Sequence, residues 1–285
     1  MKKIKHNLLK FKKIEYKEVK RQKMTVKTGR KYVNILDVKI DSTSMNEVLT
    51  TIGRFWQSKY KFSLFTPNPE ILIEAGRNKD YRKILNSADI NIPDGVGLNF
   101  ACKFLFGKTL KIIPGRKLFM ELIEKSRKEN KKVFLLGGLG NEAALTKEKL
   151  ERDFVGLNIK SLKGPKLDRN ASPINRNEEK LLKEAVESIN NFGPDVLFVG
   201  FGAPKQEKWI YKWLPKLEVG GVVAVGGTFS YISDNFRLPP GWMERFSIEW
   251  LWRLLYEPKR VLRILKAVIV FPLKVVHYKF YRKTL

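Results

Sequence analysis

Cysteine and histidine are scarce in this sequence of 285 residues, which has one cysteine, Cys102, and two histidines, His6 and His277. A single cysteine excludes an intrachain disulfide and a four-cysteine zinc site. Both histidines lie in basic terminal regions, which argues against a Ser/His/Asp triad and against a histidine metal site. Cys102 stands in an apolar stretch and is predicted to be a small core residue rather than a nucleophile.

Long apolar runs are missing as well. The most apolar run of the tail covers residues 267–273 and lies between two lysines, and it is far shorter than the roughly 20 residues that a membrane-spanning helix needs. Residues 1–31 lack the continuous apolar core and the small-residue cleavage site of a secretory signal. We therefore expect neither a transmembrane helix nor a secretory signal.

Acidic residues are few in comparison with basic ones. The sequence has 29 Asp and Glu and 56 Lys and Arg, which gives a formal net charge of +27. A field of this sign attracts phosphate, whether in nucleic acid, in anionic lipid or in a phosphorylated substrate. Residues 1–31 alone carry 13 basic and two acidic side chains, and residues 245–285 carry ten and two. The first region predicts a solvated basic extension, with a membrane-surface helix as the alternative.

Hydrophobic periodicity divides the rest of the chain. Over residues 32–235, short apolar runs alternate with helical patterns, which predicts an α/β core with a Rossmann-like, largely parallel sheet and helices on both faces. Residues 236–285 are predicted to form a basic helical appendage. The predicted strands cover residues 62–66, 90–93, 132–137, 158–162, 196–200 and 222–226. The predicted helices cover residues 45–57, 70–75, 96–106, 116–128, 141–154, 178–191 and 205–213.

The appendage has two faces on a helical wheel. Arg260, Arg263, Lys266 and Lys274 gather on one side, as in a basic amphipathic helix, and Pro272 predicts a kink. Two interpretations stay open: a helix packed on the core with a solvated polar face, or a helix that binds the membrane surface. The apolar side consists of Val261, Leu262, Leu265, Val268, Ile269, Val276 and Phe280.

Unusual loops follow several predicted strands, at the edge where open parallel sheets bind their ligands. In the first loop, Thr-Pro-Asn-Pro-Glu, Thr66 and Asn68 offer polar side chains, although Asn68 also suits ordinary helix capping. In the second loop, Asp94 precedes Gly95 at the end of an apolar strand. Its carboxylate can act as a base, while an Asp-Gly turn with a helix cap explains the same residues.

A third loop, residues 137–141, is rich in glycine and opens a helix. Gly138, Gly140 and Ala143 match the spacing of a dinucleotide-binding motif. The acidic residue expected about 20 positions later is missing. The loop therefore predicts a helix start that accepts phosphate more than a dinucleotide site.

The loop at residues 200–207, GFGAPKQE, also joins a strand to a helix. Its helix start presents N–H groups, Lys205 adds positive charge, and Gln206 can both donate and accept hydrogen bonds. A fifth loop begins with the glycine pair that ends at Gly227 and continues to Arg237, whose guanidinium suits phosphate. The chain has no Asp-x-Asp, so we expect fixed positive groups rather than a metal ion to meet phosphate charge.

These loops, taken together and in this order, resemble the WecG/TagA/CpsF family of glycosyltransferases. The likeness covers roughly residues 33–270, and its most specific parts are the Ala-Pro-Lys-Gln-Glu segment and the tail pattern Glu-Trp…Arg…Glu-Pro…Arg. The segments that carry it are residues 66–70, 93–95, 198–207, 225–229 and 249–263.

The resemblance implies an inverting transfer of N-acetylmannosamine, or its uronic acid, from a UDP-sugar to N-acetylglucosamine on a polyprenyl diphosphate, in cell-surface polysaccharide or teichoic acid synthesis. It implies Asp94 as the catalytic base with Thr66 beside it, and no cofactor. The appendage would dock the enzyme as a peripheral protein on the anionic, cytoplasmic face of the membrane. The predicted substrate-binding residues are Asn68, Gly95, Gly138, Lys205, Gln206, Glu207, Gly227, Arg237, Arg253, Arg260 and Arg263.

The sequence departs from the family pattern in two segments. Where members have Arg-x-x-Gly-x-Asp-Leu, residues 112–118 lack that arginine and hold Lys117 at the Asp position. In the second segment, Ser230 replaces the usual Asp after Phe229, and Ser233-Asp234 stands where members have Ala-Gly.

Two other classes of protein are weighed. The net charge is compatible with nucleic-acid binding, but the basic residues concentrate at the termini and no nucleic-acid motif occurs, so we expect no nucleic-acid partner. The third loop is compatible with a dinucleotide-dependent oxidoreductase. A homo-oligomer is left open.

Overall fold

A six-stranded parallel sheet forms the centre of the protein. The structure is a computed structural model that describes residues 31–233, 240–241, 243, 251–252 and 261–282, without the side chains of residues 262, 263, 281 and 282. Two strands ahead of this sheet, β1 (Tyr32–Ile35) and β2 (Val38–Asp41), form an antiparallel hairpin. The six strands are β3 (Phe62–Phe65), β4 (Ile90–Asn91), β5 (Val133–Gly137), β6 (Ile159–Leu162), β7 (Val196–Gly200) and β8 (Gly221–Ala224), in the order β4-β3-β8-β7-β5-β6.

Burial explains why these short runs form strands. Every residue of β3, β5 and β8 is buried, as expected of parallel strands that are covered on both faces. Phe62 pairs with Gly221 where β3 meets β8. A Cβ atom on Gly221 would lie 2.1 Å from the Phe62 ring, so glycine at this position lets the two central strands pair.

Eleven α-helices have defined bounds among the described residues, and a short 3₁₀ helix covers Leu214–Lys216. An intervening π-helical turn, Lys266–Val270, joins the last two of them. The helices are α1 (Met45–Gln57), α2 (Pro69–Arg77), α3 (Lys79–Asn86), α4 (Val96–Phe106), α5 (Gly115–Lys128), α6 (Glu142–Asp153), α7 (Arg176–Phe192), α8 (Lys205–Trp213), α9 (Thr228–Ile232), α10 (Val261–Leu265) and α11 (Phe271–Arg282).

The helices cover the sheet on both faces. Buried residues of α2, α3, α4, α7, α8 and α11 belong to the core on one face, and those of α1, α5, α6 and α9 to the core on the other. The loops after β3 and β7 therefore lead to one face, and the loop after β8, which lies between these strands, leads to the opposite face. Diverging loops of this kind open a crevice at the carboxyl edge of a parallel sheet. The predicted α/β class with a largely parallel sheet is confirmed.

The tail helix α11 packs against α2 and α4. Phe271 and Val275 are fully buried, and Lys279 donates to the backbone oxygen of Phe104 at 2.7 Å. The side of the helix that the wheel marks as apolar is largely exposed. On that side, Val268 is 47% and Phe280 is 64% exposed. Within the described ranges, no helix is both long and apolar enough to cross a bilayer.

The prediction for this packing is that Phe271→Ala destabilises the whole core. Removal of a fully buried Phe side chain costs about 3–5 kcal/mol in the free energy of unfolding, because it leaves a cavity. Phe280→Ala, on the same helix but exposed, is the matched control and should change that free energy by about 0.5 kcal/mol or less. Urea denaturation measures the free energy of unfolding of both variants. A loss for Phe271→Ala as small as that for Phe280→Ala would show that Phe271 does not belong to the core.

Candidate active site

The loops that follow the central strands are joined to one another by hydrogen bonds at the carboxyl edge. The backbone N–H of Asp94, after β4, donates to Pro67, after β3, at 2.9 Å. Gly138, after β5, donates to the carbonyl of Gly200, at the end of β7, at 3.0 Å. The Thr66 hydroxyl donates to the carbonyl of Ala224 in β8 at 3.5 Å. The loops predicted from sequence therefore form one continuous surface.

Thr66 and Asp94 converge on the start of α5. A Cβ atom on Gly115 would lie 3.7 Å from the Thr66 Oγ1 atom and 3.9 Å from the Asp94 Oδ2 atom. Both side chains are half-buried, so their oxygens are sheltered and still reachable. Arg116 is the next residue along α5 and is also half-buried, which places a positive charge in the segment that departs from the family pattern.

Asp94 is not the N-cap residue of α4. The N-cap residue of α4 is Gly95, which has φ +91 and makes no side-chain cap, a conformation that glycine adopts without strain. Asn68 is the residue that does cap a helix, because its Oδ1 atom accepts from the N–H of Ile71 at 3.0 Å. The Asn68 amide oxygen is therefore used in the fold.

Gln206 links the loops after β7 and β8. Its Oε1 atom accepts from the backbone N–H of Gly202 at 3.1 Å and from that of Gly226 at 3.0 Å. Its Nε2 atom donates to Glu207 at 2.8 Å. The side chain is only 2% exposed, so in this structure it binds the loops rather than a ligand.

Glu207 is fully buried, so no part of the side chain that the sequence predicts to contact a substrate is exposed in this structure. One carboxylate oxygen accepts from Gln206, and the other accepts from the hydroxyl of Tyr81 at 3.1 Å. Burial raises the pKa of Glu207, and its hydrogen bonds, that from Gln206 foremost, act in the opposite direction. Burial and the nearby Glu207 carboxylate raise the pKa of Tyr81 well above its ordinary value of 10.0.

A second buried glutamate organises the glycine-rich loop after β5. Glu142 accepts from the N–H of Leu139 at 2.8 Å and from the Ser230 hydroxyl at 2.7 Å. Gly138, predicted to bind substrate, has φ +81, and a Cβ atom there would lie 3.0 Å from Glu142. A carboxylate of the chain itself thus lies at the helix start where the sequence predicts a phosphate.

The other predicted binding residues are placed as follows. Lys205 is half-buried at the first position of α8, and Gly227 is the N-cap residue of α9. Arg237, Arg253 and Arg260 lie outside the described residues, as does the side chain of Arg263. In the described part of the chain, no three His, Cys, Asp or Glu residues are grouped as metal ligands would be, and the metal-free site stays a prediction.

Comparison with known proteins identifies the family. The sequence model described as "Glycosyl transferase WecG/TagA/CpsF family" matches residues 33–285. This chain belongs to that family. A Bacillus spizizenii protein named N-acetylglucosaminyldiphosphoundecaprenol N-acetyl-beta-D-mannosaminyltransferase is 35% identical over 210 residues, which are 73% of this chain and 76% of the relative. A Staphylococcus aureus protein of the same name is 29% identical over 249 residues, which are 87% and 93% of the two chains.

Membership in the WecG/TagA/CpsF family makes this protein a glycosyltransferase of the hexosyltransferase class. The family resemblance stated from the sequence is confirmed. The comparisons support neither a nucleic-acid-binding protein nor a dinucleotide-dependent oxidoreductase. For the latter, Glu142 supplies the physical reason, because its carboxylate would repel a pyrophosphate bound at the start of α6.

Sequence reasoning missed Tyr81 and Glu142. Both are fully or almost fully buried and act through hydrogen bonds to residues far away in the sequence. The one signal in the sequence is a polar side chain on an otherwise apolar helix face. This signal alone does not identify a site residue or its partner.

The raised pKa of Glu207 predicts a pH-dependent stability. A carboxyl group whose pKa is higher in the folded protein stabilises it fully below the ordinary value of 4.5, and this contribution is lost as the pH rises through the folded-state pKa. Glu207→Gln has no such titration. We therefore expect the free energy of unfolding of the wild type, minus that of the variant, to fall above pH 4.5, by at most about 1.4 kcal/mol per pH unit.

Urea denaturation from about pH 4.5 to about pH 8 measures this difference. Glu151→Gln, which removes an exposed carboxylate paired with Lys147, is the control and should show no such fall. A difference for Glu207→Gln that stays constant or rises with pH would contradict the prediction.

Proposed function

We propose that this protein transfers N-acetylmannosamine, or its uronic acid, from UDP to N-acetylglucosamine on a polyprenyl diphosphate, in the synthesis of a cell-surface polysaccharide such as teichoic acid. The relatives named for a transfer to N-acetylglucosaminyldiphosphoundecaprenol support the acceptor. The observation that carries the chemistry is the convergence of the Thr66 hydroxyl and the Asp94 carboxylate beside Gly115, at the edge of the sheet where ligands bind.

The proposed reaction is a single displacement. Asp94 accepts the proton of the acceptor hydroxyl while that oxygen bonds to the anomeric carbon of the sugar. The bond from this carbon to the diphosphate breaks, UDP leaves with the electron pair, and the configuration at the anomeric carbon inverts. Thr66 lies on the same side of the Gly115 backbone as Asp94, so its hydroxyl is in position to orient the acceptor or the carboxylate.

The leaving diphosphate needs positive charge around it. The first turn of α8 makes no side-chain cap, and its partial positive charge and the ammonium group of Lys205 both favour an anion. Arg116, at the start of α5, directly follows Gly115, the residue beside which Thr66 and Asp94 converge. We propose that Arg237, Arg253, Arg260 and Arg263 supply further charge.

The tail supports a proposal for membrane docking. Val268, Ile269 and Leu273 are 47%, 52% and 65% exposed, and they neighbour the basic Lys266 and Lys274. Exposed apolar side chains beside basic ones are typical of helices that lie on an anionic bilayer. Docking would present the enzyme to its lipid-linked acceptor at high local concentration. The proposed location is the cytoplasmic face of the membrane.

Asp94→Asn tests the proposed base. The amide has the same size and cannot accept the proton, so we expect kcat to fall about 10²–10⁴-fold while UDP binding stays within about twofold. Release of UDP from UDP-N-acetylmannosamine, with a short-chain polyprenyl diphosphate acceptor, measures turnover, and calorimetry measures binding. Asp80→Asn, on the exposed side of α3, should keep full activity. Wild-type turnover by Asp94→Asn would remove this residue from the mechanism.

A paired substitution tests membrane docking. Val268→Ser with Ile269→Ser removes two exposed apolar side chains, each worth about 1.5–3 kcal/mol when fully buried, so we expect binding to phosphatidylglycerol vesicles to weaken at least about tenfold. Val155→Ser with Ile174→Ser changes the same residue types at sites that are 81% and 54% exposed on the core and is the matched control. Co-sedimentation with the vesicles measures both pairs. Equal binding of the two double variants would contradict tail docking.

A further inference from the structure

The orientation of the Gln206 side-chain amide controls two loops at once. Its oxygen accepts from Gly202, in the loop after β7, and from Gly226, in the loop after β8. If the amide were turned over, its NH₂ group would face the N–H groups of Gly202 and Gly226. Neither the two backbone N–H groups nor the NH₂ group would then have an acceptor. A buried donor without an acceptor costs about 1–3 kcal/mol, so the spacing of the loops depends on which way this amide points.

Glu207 and Tyr81 lie behind the amide and determine that orientation. The Glu207 Oε1 atom accepts from the Gln206 Nε2 atom at 2.8 Å, and the Tyr81 hydroxyl donates to the Oε2 atom at 3.1 Å. A hydroxyl both donates and accepts. It can therefore donate to an ionised Glu207 or accept a proton carried on Oε2, and in both cases Oε1 remains an acceptor for Gln206.

We propose that Tyr81 and Glu207 are positioning residues that fix the Gln206 amide and, through it, the two loops between which the sugar nucleotide binds. The three side chains form a buried chain of hydrogen bonds from α3 to the carboxyl edge of the sheet. Tyr81 and Glu207 are fully buried and Gln206 is 2% exposed, so the first two act through Gln206 and not by contact with a substrate. The binding part of this inference rests on the proposed UDP-sugar donor.

Tyr81→Phe removes the hydroxyl and keeps the ring. When Glu207 carries a proton, that proton can then lie on either oxygen, and Oε1 no longer has to accept from Gln206. We expect the backbone amides of Gly202 and Gly226 to exchange with deuterium about tenfold faster, as measured by NMR. We also expect the Kd for UDP and the KM for the donor to rise about tenfold, the equivalent of about 1.4 kcal/mol, with kcat within about twofold of the wild type.

Tyr60→Phe is the matched control. The Tyr60 hydroxyl donates to the Asp89 carboxylate at 2.9 Å. Tyr60 lies two residues before β3 and Asp89 one residue before β4, at the opposite, amino edge of the sheet. Loss of a tyrosine–carboxylate hydrogen bond there should lower stability similarly without changing exchange at Gly202 and Gly226 or the Kd for UDP. A merely structural role of Tyr81 predicts the same result for both variants, and that result would overturn the inference.

A second variant and a separate measurement distinguish failure of the positioning inference from failure of the proposed UDP-sugar donor. If Tyr81→Phe does not fold, Glu207→Gln replaces it, because half of the orientations of the new amide turn an NH₂ group towards Gln206 and should likewise accelerate exchange at the two glycines. Unchanged exchange in the variant that folds would overturn the proposed positioning. Failure of the wild type to bind UDP would instead overturn the proposed donor, and the exchange comparison would still decide whether Tyr81 and Glu207 fix the loops.

Discussion

One buried amide holds together the edge of the sheet on which the site is built. Beyond the last ladder hydrogen bonds of parallel strands, neighbouring loops have no regular partners and need side chains to set their distance. Gln206 does this for the loops after β7 and β8. The Thr66 hydroxyl in turn donates to the carbonyl of Ala224, two residues before Gly226, so the proposed catalytic residue Thr66 is linked to one of the two loops that Gln206 holds.

The site also shows how a protein of net charge +27 uses buried acids. Glu142 and Glu207 lie in the first turns of α6 and α8, where the helix dipole favours a negative charge, and the Glu142 carboxylate also accepts from the backbone N–H of Leu139. The departure from the family pattern at Ser230 has a physical explanation in this arrangement, because its hydroxyl donates to Glu142 at 2.7 Å. An aspartate at that position would bring a second negative charge against the first, and like charges at such a distance raise each other's pKa.

The sequence predicts most of the sheet and the long helices because their signals are local. A continuous apolar run predicts both ends of β7 correctly, and periodic patterns predict both ends of α1, α4 and α8 correctly. It does not predict the hairpin of β1 and β2, whose turn places Leu36 and Asp37 at positive φ without a glycine, or α3 and α9, which are short. Asp94 and Thr66 are predicted as site residues because they stand in distinctive loops. Tyr81 is not predicted, since it contacts Glu207 across 126 residues of sequence, and no periodicity encodes such a pairing.

The tail shows a second limit of prediction from sequence, and it bears on the two interpretations of the basic helix. A wheel at 3.6 residues per turn assumes one regular helix, but a π-helical turn at Lys266–Val270 changes the register. The residues that enter the core, Phe271 and Val275, are therefore not those that the wheel groups as apolar. Because the exposed Val268 and Phe280 remain outside the core, the membrane docking that we propose would use residues other than those that pack on the protein. The two interpretations are therefore compatible: the buried residues attach the tail to α2 and α4, and the exposed ones are those that the proposed docking requires.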